Sequence, residues 1–478
     1  MRTNDRIIVG IDVGTHKICT IVAEAEPGPG MLNVLGVGAV ASEGITKGLI
    51  TDMVKASGAI AHSLEAAERQ SGCRILSAYV SISGNHVASF NSRGLVSVAH
   101  PDRVIAQDDV DRAIDAAKAV LLPPGREILH VVPRTYTIDA QEGIRNPVGL
   151  SGWRLDVETH LVTGASTVRE SLIRCVQGAD VEVDDTVLSP LAGAEATLTE
   201  QEKNLGVVYV DIGHGTTDLA IYVDGTVWHS KVIPVGGWQL SNDLSHIFNI
   251  PYEAAESLKL QYGKAIIPTS KPQPKPAPQM ANGRSFPAGS SLFTGEVYGV
   301  EAAKYTNGNG NGNGKHEEGE SHSPMRVLDG EIIETRGLND ATKEINRDEL
   351  NEVLEARLDQ LFGMIGDEIR RSGYEGLLPG GVVLGGGVAS MAGIESYAQH
   401  KLKMPVRIGR PKKAGGLAEA FDSPAYATSV GLVLYGLKQS PDAQPGLRDR
   451  LKDFRPGANG REEGGLLAKW LKRFLPTK

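Results

Sequence analysis

The clearest pattern in the chain is an apolar strand that ends in an aspartate and runs into a glycine turn. It occurs at Ile7–Thr15 as IIVGIDVGT and again at Val207–Thr216 as VVYVDIGHGT. The first copy is followed by a second apolar, β-branched run at Ile18–Ala23, which predicts a β-hairpin. Because the second copy repeats this pattern, the sequence indicates two similar halves.

The remaining hydrophobic periodicity predicts elements between and after these copies. Helical spacing covers Asp52–Ser71, where Met53, Ile60 and Leu64 are among the apolar positions. The other predicted elements are a strand at Tyr79–Ile82, a helix at Asp108–Val120, a helix at Thr167–Gln177, a strand at Asp184–Leu188 that leads into a further helix, a long helix at Arg347–Arg371, and a strand at Val382–Leu384 that runs into Gly385, Gly386 and Gly387.

Changes of texture divide the chain into domains. Short strands, turns and one helix follow Gly84, which indicates a small inserted α+β subdomain. A Pro-rich stretch and an Asn–Gly repeat bury too little to offset chain entropy and predict a disordered insertion. The predicted organisation is a first half at 1–83 and 164–200, the inserted subdomain at 84–163, a second half at 201–265 and 327–438, the insertion at 266–326, a flexible linker at 439–463, and a terminal helix at 464–478.

Composition narrows the class of protein. The 478 residues are 41% hydrophobic with a net charge of −9, so nucleic acid is not expected as a partner. Cys19, Cys73 and Cys175 lie far apart, which argues against disulfides and a zinc site and suits a reducing cytoplasm. The start lacks the apolar stretch of a signal peptide, and no segment offers the ~18 apolar residues of a spanning helix. We therefore expect a cytoplasmic protein with at most peripheral membrane contact.

The glycine turns suggest phosphate chemistry. Glycine lets backbone N–H groups approach phosphate oxygens, and an aspartate at the end of a buried strand can hold Mg²⁺ through water. No P-loop motif and no dinucleotide fingerprint are present. The candidate phosphate and metal residues are Asp12, Gly14, Thr15 and Lys17 in a first loop, Asp211, Gly213, Gly215, Thr216 and Thr217 in a second loop, and Gly385, Gly386 and Gly387 in a third.

This set of turns resembles the actin superfamily. Longer stretches narrow the resemblance: GIDVGTHKI at Gly10–Ile18, ITKGLITD at Ile45–Asp52, VSISGNHV at Val80–Val87, LHVVPRTYTID at Leu129–Asp139, IRNPVGLSGWRLDVETHLVT at Ile144–Thr163, EKNLGVVYVDIGHGTTDLAIY at Glu202–Tyr222, IPVGG at Ile233–Gly237, AAESLKLQYG at Ala254–Gly263, RDELNEVLEARLDQLF at Arg347–Phe362 and the terminal helix. With these stretches the chain resembles the FtsA family of bacterial cell-division proteins along nearly its whole length. The exception is 266–326, which is longer and more repetitive than the family leads us to expect.

The resemblance implies an α/β actin-like fold of two halves around one cleft that binds ATP and Mg²⁺. It puts Gly236 and Gly237 near the phosphates, Glu256 and Lys259 beside the ribose and base, and Gly385–Gly387 on the adenosine side. The helical spacing of Glu256 and Lys259 places both on one face, although an ordinary surface ion pair would have the same spacing.

Three departures from the family pattern change the expected chemistry. His214 stands where a second glycine is usual, so we expect a tighter backbone approach there, and Gly385 replaces the usual threonine. Ser189 stands where related chaperones and the filament protein MreB have a catalytic glutamate. Without a group that orients water, we expect slow hydrolysis, with Asp211 as a weak catalytic candidate. For Glu195, nearby in sequence, we expect a surface or helix-packing role.

The last residues predict a membrane anchor. On a helical wheel, an apolar half faces a basic half, and no acidic residue follows Gly464. This is the pattern of an interfacial amphipathic helix. A helix docked on the protein's own body and a calmodulin-like partner are the alternatives. The apolar half comprises Leu466, Leu467, Trp470, Leu471, Phe474 and Leu475, and the basic half Lys469, Lys472 and Arg473.

The family resemblance also implies partners. The chain would tether the tail of the tubulin-like protein FtsZ to the inner face of the cytoplasmic membrane, polymerise there and recruit later division proteins. The tail would dock on the subdomain that contains the Arg347–Arg371 helix, with Arg347 and Arg357 as candidate contacts. A metabolite kinase and the pilus-assembly protein PilM are the alternative functions, and the terminal helix argues against both.

Overall fold

A computed structural model of the chain describes residues 7–25, 32–267, 331–338, 342–411, 414–416 and 421–439. The predicted terminal helix, the linker from residue 440 onward and the predicted insertion from residue 268 onward lie outside these ranges. Among the described helices, none combines the length and apolarity needed to cross a bilayer.

The first half is built on a sheet that begins with the predicted hairpin. Its helix begins after Asp52, whose carboxylate accepts from the backbone N–H groups of Val54 and Lys55. The helix ends at Gly72, which adopts a left-handed conformation with φ of 68°. The elements up to the insertion are β1 (Ile7–Val13), β2 (Lys17–Ala25), β3 (Leu32–Ala41), β4 (Ile45–Thr46), β5 (Leu49–Ile50), α1 (Met53–Ser71) and β6 (Ser77–Ile82).

The predicted inserted subdomain is a four-stranded sheet covered by one helix. Val110 and Ala113 of the helix pack on Leu155 and Val157 of the sheet, which gives the subdomain its own core. The strand order is β7-β10-β8-β9. The elements are β7 (Ala88–Ser97), α2 (Gln107–Lys118), β8 (Arg126–Ile138), β9 (Gln141–Ile144) and β10 (Arg154–Ala165).

The chain then completes the first half and forms the second. The strand-then-helix pattern expected from Asp184 is confirmed, as are the long helix and the strand before the three glycines. The elements are α3 (Ser166–Gln177), β11 (Glu182–Leu188), α4 (Ser189–Thr197), α5 (Glu200–Leu205), β12 (Val207–Ile212), β13 (Thr217–Val223), β14 (Thr226–Ile233), α6 (Gly237–Phe248), α7 (Tyr252–Tyr262), β15 (Ile332–Arg336), β16 (Thr342–Asn346), α8 (Arg347–Ser372), β17 (Val382–Gly385), α9 (Ile394–Leu402), β18 (Val406–Ile408), β19 (Ala414–Gly416) and α10 (Ala427–Gln439).

The two main sheets have the same topology. The first runs β11-β6-β1-β2-β3-β19, and the second runs β18-β17-β12-β13-β14. In each sheet an antiparallel meander of three strands continues into two parallel strands beside its first strand. This correspondence confirms the two similar halves that the repeated strand–Asp–Gly–Thr pattern predicts.

Two helices join the halves at the centre. Helices α4 and α10 pack against each other, α10 also packs on β1 of the first sheet, and α4 packs on β12 of the second. Both helices are buried over most of their length. The first strands of the two sheets therefore face each other across this helix pair, and the turns that follow these strands are brought together.

Candidate functional site

A cavity of about 440 Å³ lies between the two halves. Its walls come from the β1–β2 turn, the β12–β13 turn, helix α7, the loop after β17 and the start of α10. The cavity thus collects the three glycine turns that the sequence singles out. Most of the predicted residues line it: Asp12, Gly14, Thr15, Lys17, Asp211, Gly213, Gly215, Thr216, Gly237, Glu256, Lys259, Gly386 and Gly387.

Three predicted residues lie behind the cavity wall. The hydroxyl of Thr217 donates to the backbone oxygen of Val235 at 2.8 Å, so it holds the end of β14 rather than facing the cavity. Gly236 precedes α6 and packs against the second loop, where a Cβ would lie 2.7 Å from the backbone oxygen of His214. Gly385 is the last residue of β17, beside Asp211 in the parallel register.

Asp12 is the next-to-last residue of β1, and two hydroxyl groups donate hydrogen bonds to its carboxylate. Ser81 Oγ donates to its carboxylate at 2.9 Å and Ser429 Oγ donates at 3.1 Å. Burial raises the pKa of Asp12, and the nearby Lys17 opposes this shift. The Lys17 ammonium lies 3.3 Å from the ring centroid of Tyr426, and burial lowers its pKa.

Asp211 is the next-to-last residue of β12, the equivalent position, but its carboxylate accepts only one short hydrogen bond from the described residues. Thr428 Oγ1 donates to Oδ2 at 2.7 Å, while the Tyr209 hydroxyl lies 3.5 Å from the same oxygen. Burial raises the pKa of Asp211 to about 7, and the negative charges of Asp218 and Asp12 add to the shift. The pKa of Asp218 is raised by burial to about 6, although Ser83 and Thr216 hydroxyls donate to it at 2.6 and 2.8 Å.

These carboxylates suit a hydrated divalent cation. Hydroxyl donors already occupy oxygens of Asp12 and Asp211, and Mg²⁺ commonly binds carboxylates while retaining several of its waters. A cation would also favour the ionised forms that burial disfavours. At Gly386 the backbone has a φ of 82°, and a Cβ would overlap Oδ1 of Asp211, so the third turn approaches this carboxylate only because it carries glycine.

Glu256 and Lys259 of α7 line the cavity, and hydrogen bonds hold both side chains in place. Lys259 Nζ lies 2.7 Å from Glu256 Oε2 and donates to the Gly237 backbone oxygen at 3.3 Å, while Ser241 donates to the same carboxylate. Burial raises the pKa of Glu256, but Lys259 and Ser241 outweigh it and the net shift is downward. Both side chains are largely buried, so this is not an ordinary surface ion pair.

Several residues at the site were not predicted from the sequence. Asp218 completes the acidic cluster, and Tyr252 hydrogen-bonds His214 at 3.1 Å. The departure at His214 was a signal in the sequence, but its contact with His16, at 4.9 Å between ring centroids, was not. The remaining unpredicted residues that support the carboxylates are Ser81, Ser83, Tyr209, Thr428 and Ser429.

The other highlighted residues lie at different distances from the cavity. Ser189 lines it at the start of α4, whereas Glu195 pairs with Lys203 at 3.1 Å and has the helix-packing role expected of it. Arg347 also lines the cavity and pairs with Glu331 at 3.0 Å. Arg357 lies farther along α8, where its Nε donates to Asp243 at 2.6 Å.

Two equivalent sheets around a central cavity, with a small inserted subdomain, define an actin-like protein. Among solved structures, a chain of the PilM-PilN type IV pilus biogenesis complex superposes with a TM-score of 0.58, covering 90% of this chain and 98% of that one. The sequence identity is 14%, so this likeness concerns the fold.

Sequence comparison then gives the family. The family model described as Cell division protein FtsA matches residues 208–431, and that of the SHS2 domain inserted in FTSA matches residues 84–163. The chain is 36% identical to Cell division protein FtsA of Pseudomonas aeruginosa over 91% of each chain. It is 33% identical to that of Neisseria meningitidis over 99% of each chain. The chain therefore belongs to the FtsA family, as the resemblance predicts.

Proposed function

We propose that the cavity binds Mg·ATP. In this proposal the two loops that follow β1 and β12 hold the phosphates, and Asp12 and Asp211 hold Mg²⁺ through water. Glu256 and Lys259 contact the ribose and base, and Gly386 and Gly387 bound the adenosine side, with Gly385 behind them. The observation that carries the proposal is the convergence of two equivalent strand-end carboxylates and three glycine turns on one cavity. Bound Mg²⁺ would supply positive charge for the phosphates and for the buried carboxylates.

We further propose that ATP mainly sets conformation and assembly, with slow hydrolysis. Ser189 lies at the cavity where a water-orienting carboxylate would be needed, and its hydroxyl donates to the Ile82 backbone oxygen at 3.3 Å. Asp211 is the remaining weak candidate for a catalytic group. A pKa raised to about 7 would suit proton transfer, but the proposed contact with hydrated Mg²⁺ would favour the ionised carboxylate and a role in binding.

The proposed role in the cell is that of an adaptor for division. The chain would polymerise at the cytoplasmic face of the inner membrane, tether FtsZ at the division site and help to recruit later division proteins. Membership of the FtsA family supports this role, and so does the amphipathic pattern at 464–478, which lies outside the described residues. An FtsZ contact at Arg357 would compete with its ion pair to Asp243, and Arg347 lies at the proposed nucleotide site instead.

The membrane part of this proposal is tested by co-sedimentation with anionic liposomes, with and without Mg·ATP and FtsZ. We expect weak binding of the monomer and tight binding of an assembled polymer, because a polymer presents many tails at once. FtsZ should pellet with the liposomes only when this protein is present. If FtsZ stays in solution under all conditions, the adaptor role is wrong.

Two matched variants isolate the tail. Trp470→Glu places a charge in the apolar half of the predicted helix and should release the protein from liposomes. Ala468→Glu adds the same charge on the opposite half, so it controls for the loss of net positive charge and should retain most binding. Equal release by both variants would show that charge alone, rather than an amphipathic helix, attaches the protein.

A further inference from the structure

Two histidines from opposite halves meet at the cavity. His16 lies within the first loop and His214 within the second, and their ring centroids are 4.9 Å apart. Both line the cavity. The loops also touch directly beside this pair, because a Cβ on Gly215 would lie 2.7 Å from Thr15 Oγ1. The two imidazoles are therefore brought together by the same closure that forms the proposed phosphate site.

Tyr252 orients the ring of His214. Its hydroxyl lies 3.1 Å from His214 Nε2 and 3.5 Å from Glu256 Oε2, so the shorter hydrogen bond is to the imidazole. The ring of Trp238 stacks on Tyr252 with an interplanar angle of 25°. If Tyr252 donates to Nε2, the proton of a neutral imidazole must be on Nδ1. His214 then offers one N–H donor that the described protein groups do not use.

The electrostatic surroundings keep this ring neutral. Burial lowers the pKa of His214 to about 4, and the charges of His16 and Lys259 add to the effect, while Glu256 opposes it. His16 makes its ring contact with His214, and its imidazole forms no hydrogen bond with any residue that the structure describes. Nδ1 of His214 and both ring nitrogens of His16 therefore have no hydrogen-bond partner among the described residues, and both rings line the cavity.

We infer that His214, held by Tyr252 with its proton on Nδ1, and His16 from the opposite loop form a two-imidazole subsite for the phosphate chain of the nucleotide. This inference rests on the proposed nucleotide binding and adds side-chain donors to the backbone of the two loops. It also gives His214 a role at a position where glycine would leave only the backbone. Tyr252 is a positioning residue in this arrangement.

The first test compares ligands with and without phosphates. Affinities for Mg·ADP and for adenosine are measured by calorimetry or competition on wild type, His214→Ala, His16→Ala and the surface control His62→Gln. We expect each alanine variant to bind ADP about tenfold more weakly, as for one lost hydrogen bond to a charged group, with unchanged adenosine affinity. Equal loss for both ligands, or no loss for ADP, would overturn the subsite.

A conservative variant separates the donor from the ring. The side-chain amide nitrogen of Asn lies at the same number of bonds from the backbone as imidazole Nδ1. His214→Asn should therefore retain most ADP affinity, whereas His214→Ala loses it. Loss of affinity in both variants would contradict a donor at Nδ1. If wild type itself binds no nucleotide, the proposed function fails and takes the subsite with it.

The second test observes the tautomer directly. With ¹⁵N-labelled histidine, long-range ¹H–¹⁵N spectra distinguish a proton on Nδ1 from one on Nε2, and the His214→Asn spectrum assigns the signals. We expect the Nδ1–H form in wild type and a shift toward Nε2–H in Tyr252→Phe, with a parallel loss of ADP affinity. An Nε2–H tautomer in wild type, or an unchanged tautomer in Tyr252→Phe, would show that Tyr252 does not position this ring.

Discussion

The first and second halves differ in the size of the residues that pack around their equivalent aspartates, Asp12 and Asp211. Counting back from the strand-end aspartates, Gly10 of β1 corresponds to Tyr209 of β12. Ser81 of β6 donates a hydrogen bond to the Asp12 carboxylate, and Gly385 of β17 lies beside Asp211 in the parallel register. Near its aspartate, the first half therefore has a glycine on the central strand and a serine on the neighbouring strand, whereas the second half has a tyrosine and a glycine at these two places.

This difference in size reflects what packs on each strand. A Cβ on Gly10 would lie 2.8 Å from Cβ of Leu432, so α10 packs directly against β1. In the second half the fully buried Tyr209 fills the corresponding space, and its hydroxyl would be overlapped by a Cβ on either Gly385 or Gly193 of α4. One helix approaches its sheet closely, while the other leaves room for an aromatic ring.

The difference changes how the two carboxylates are held. Ser81 donates to Asp12 at 2.9 Å, and Lys17 supplies a nearby positive charge. In the second half the Tyr209 hydroxyl lies 3.5 Å from the Asp211 carboxylate, whose pKa is raised mainly by burial and further by the negative charges of Asp218 and Asp12. The ionised form of Asp211 is therefore less stabilised by its surroundings than that of Asp12. A bound cation would stabilise the Asp211 carboxylate more.

The greatest loss of folding stability is expected when the contact between Tyr209 and Gly385 is disrupted. Gly385→Ser should destabilise the protein by about 3 kcal/mol, because its Cβ overlaps the Tyr209 hydroxyl. Tyr209→Val should cost a similar amount by leaving a cavity. The double variant has a smaller residue at 209 and a serine at 385, as the first half has Gly10 and Ser81. It should lose clearly less stability than the sum of the two single changes.

Urea unfolding of the three variants measures this coupling. Gly363→Ser is the matched control, because a Cβ there meets nothing within 4 Å. Strict additivity of the two single changes would show that Tyr209 and Gly385 do not share one space.

The second expected effect is a pH-dependent change in folding stability at Asp211. Because the folded-state pKa of Asp211 is raised to about 7, its contribution to stability is full below pH 4 and is lost as pH rises through 7. Asp211→Asn avoids this loss, so without nucleotide it should be more stable than wild type by about 2 kcal/mol at pH 8. The advantage should shrink toward pH 4.

Asp12→Asn is the matching change in the first half, and its gain in stability is compared with that of Asp211→Asn. It should gain less, since Lys17 and two hydroxyls already stabilise the Asp12 carboxylate. Thermal or urea unfolding between pH 4 and pH 8 measures both variants. A larger gain at Asp12 than at Asp211 would reverse the proposed imbalance.

The smallest effect concerns the cation of the first half. Lys17→Met should weaken Mg·ATP binding about tenfold, because it removes a point charge that lines the cavity. Folding stability should change little, because losing the charge that stabilises the Asp12 carboxylate is offset by removing an ammonium group whose charged form burial disfavours. Calorimetry with unfolding measured in parallel checks both parts. A large loss of stability would mean that Lys17 has a structural role on Tyr426.

Much of the fold was predictable because its signals are local. The strand–Asp–Gly–Thr pattern predicted both hairpins, and the change of texture at Gly84 placed the inserted subdomain at 84–163, the same residues that the SHS2 family model matches. The β15–β16 hairpin before α8 was missed. Its strands have five residues each, and only one position in each is buried, so their hydrophobic pattern is weak.

The support of the site was not predictable, because it depends on pairing between distant segments. Ser81 lies 69 positions from Asp12 in the chain and Thr428 lies 217 from Asp211. No pattern in the neighbouring sequence indicates that these hydroxyls donate hydrogen bonds to a carboxylate. The departure at Gly385 was visible in the sequence, but its reason, the ring of Tyr209, required the register of β12 and β17.

Calorimetric titration with Mg·ATP of wild type, Asp211→Ala and the control Glu195→Gln tests the central claim, that the two halves bind Mg·ATP between them. Wild type should bind saturably, Asp211→Ala markedly more weakly, and Glu195→Gln, which lies outside the cavity, nearly as tightly as wild type. The deficit of Asp211→Ala should shrink when Mg²⁺ is chelated. Equal affinity of wild type and Asp211→Ala in the presence of Mg²⁺ would show that Asp211 does not hold Mg²⁺ at a nucleotide site.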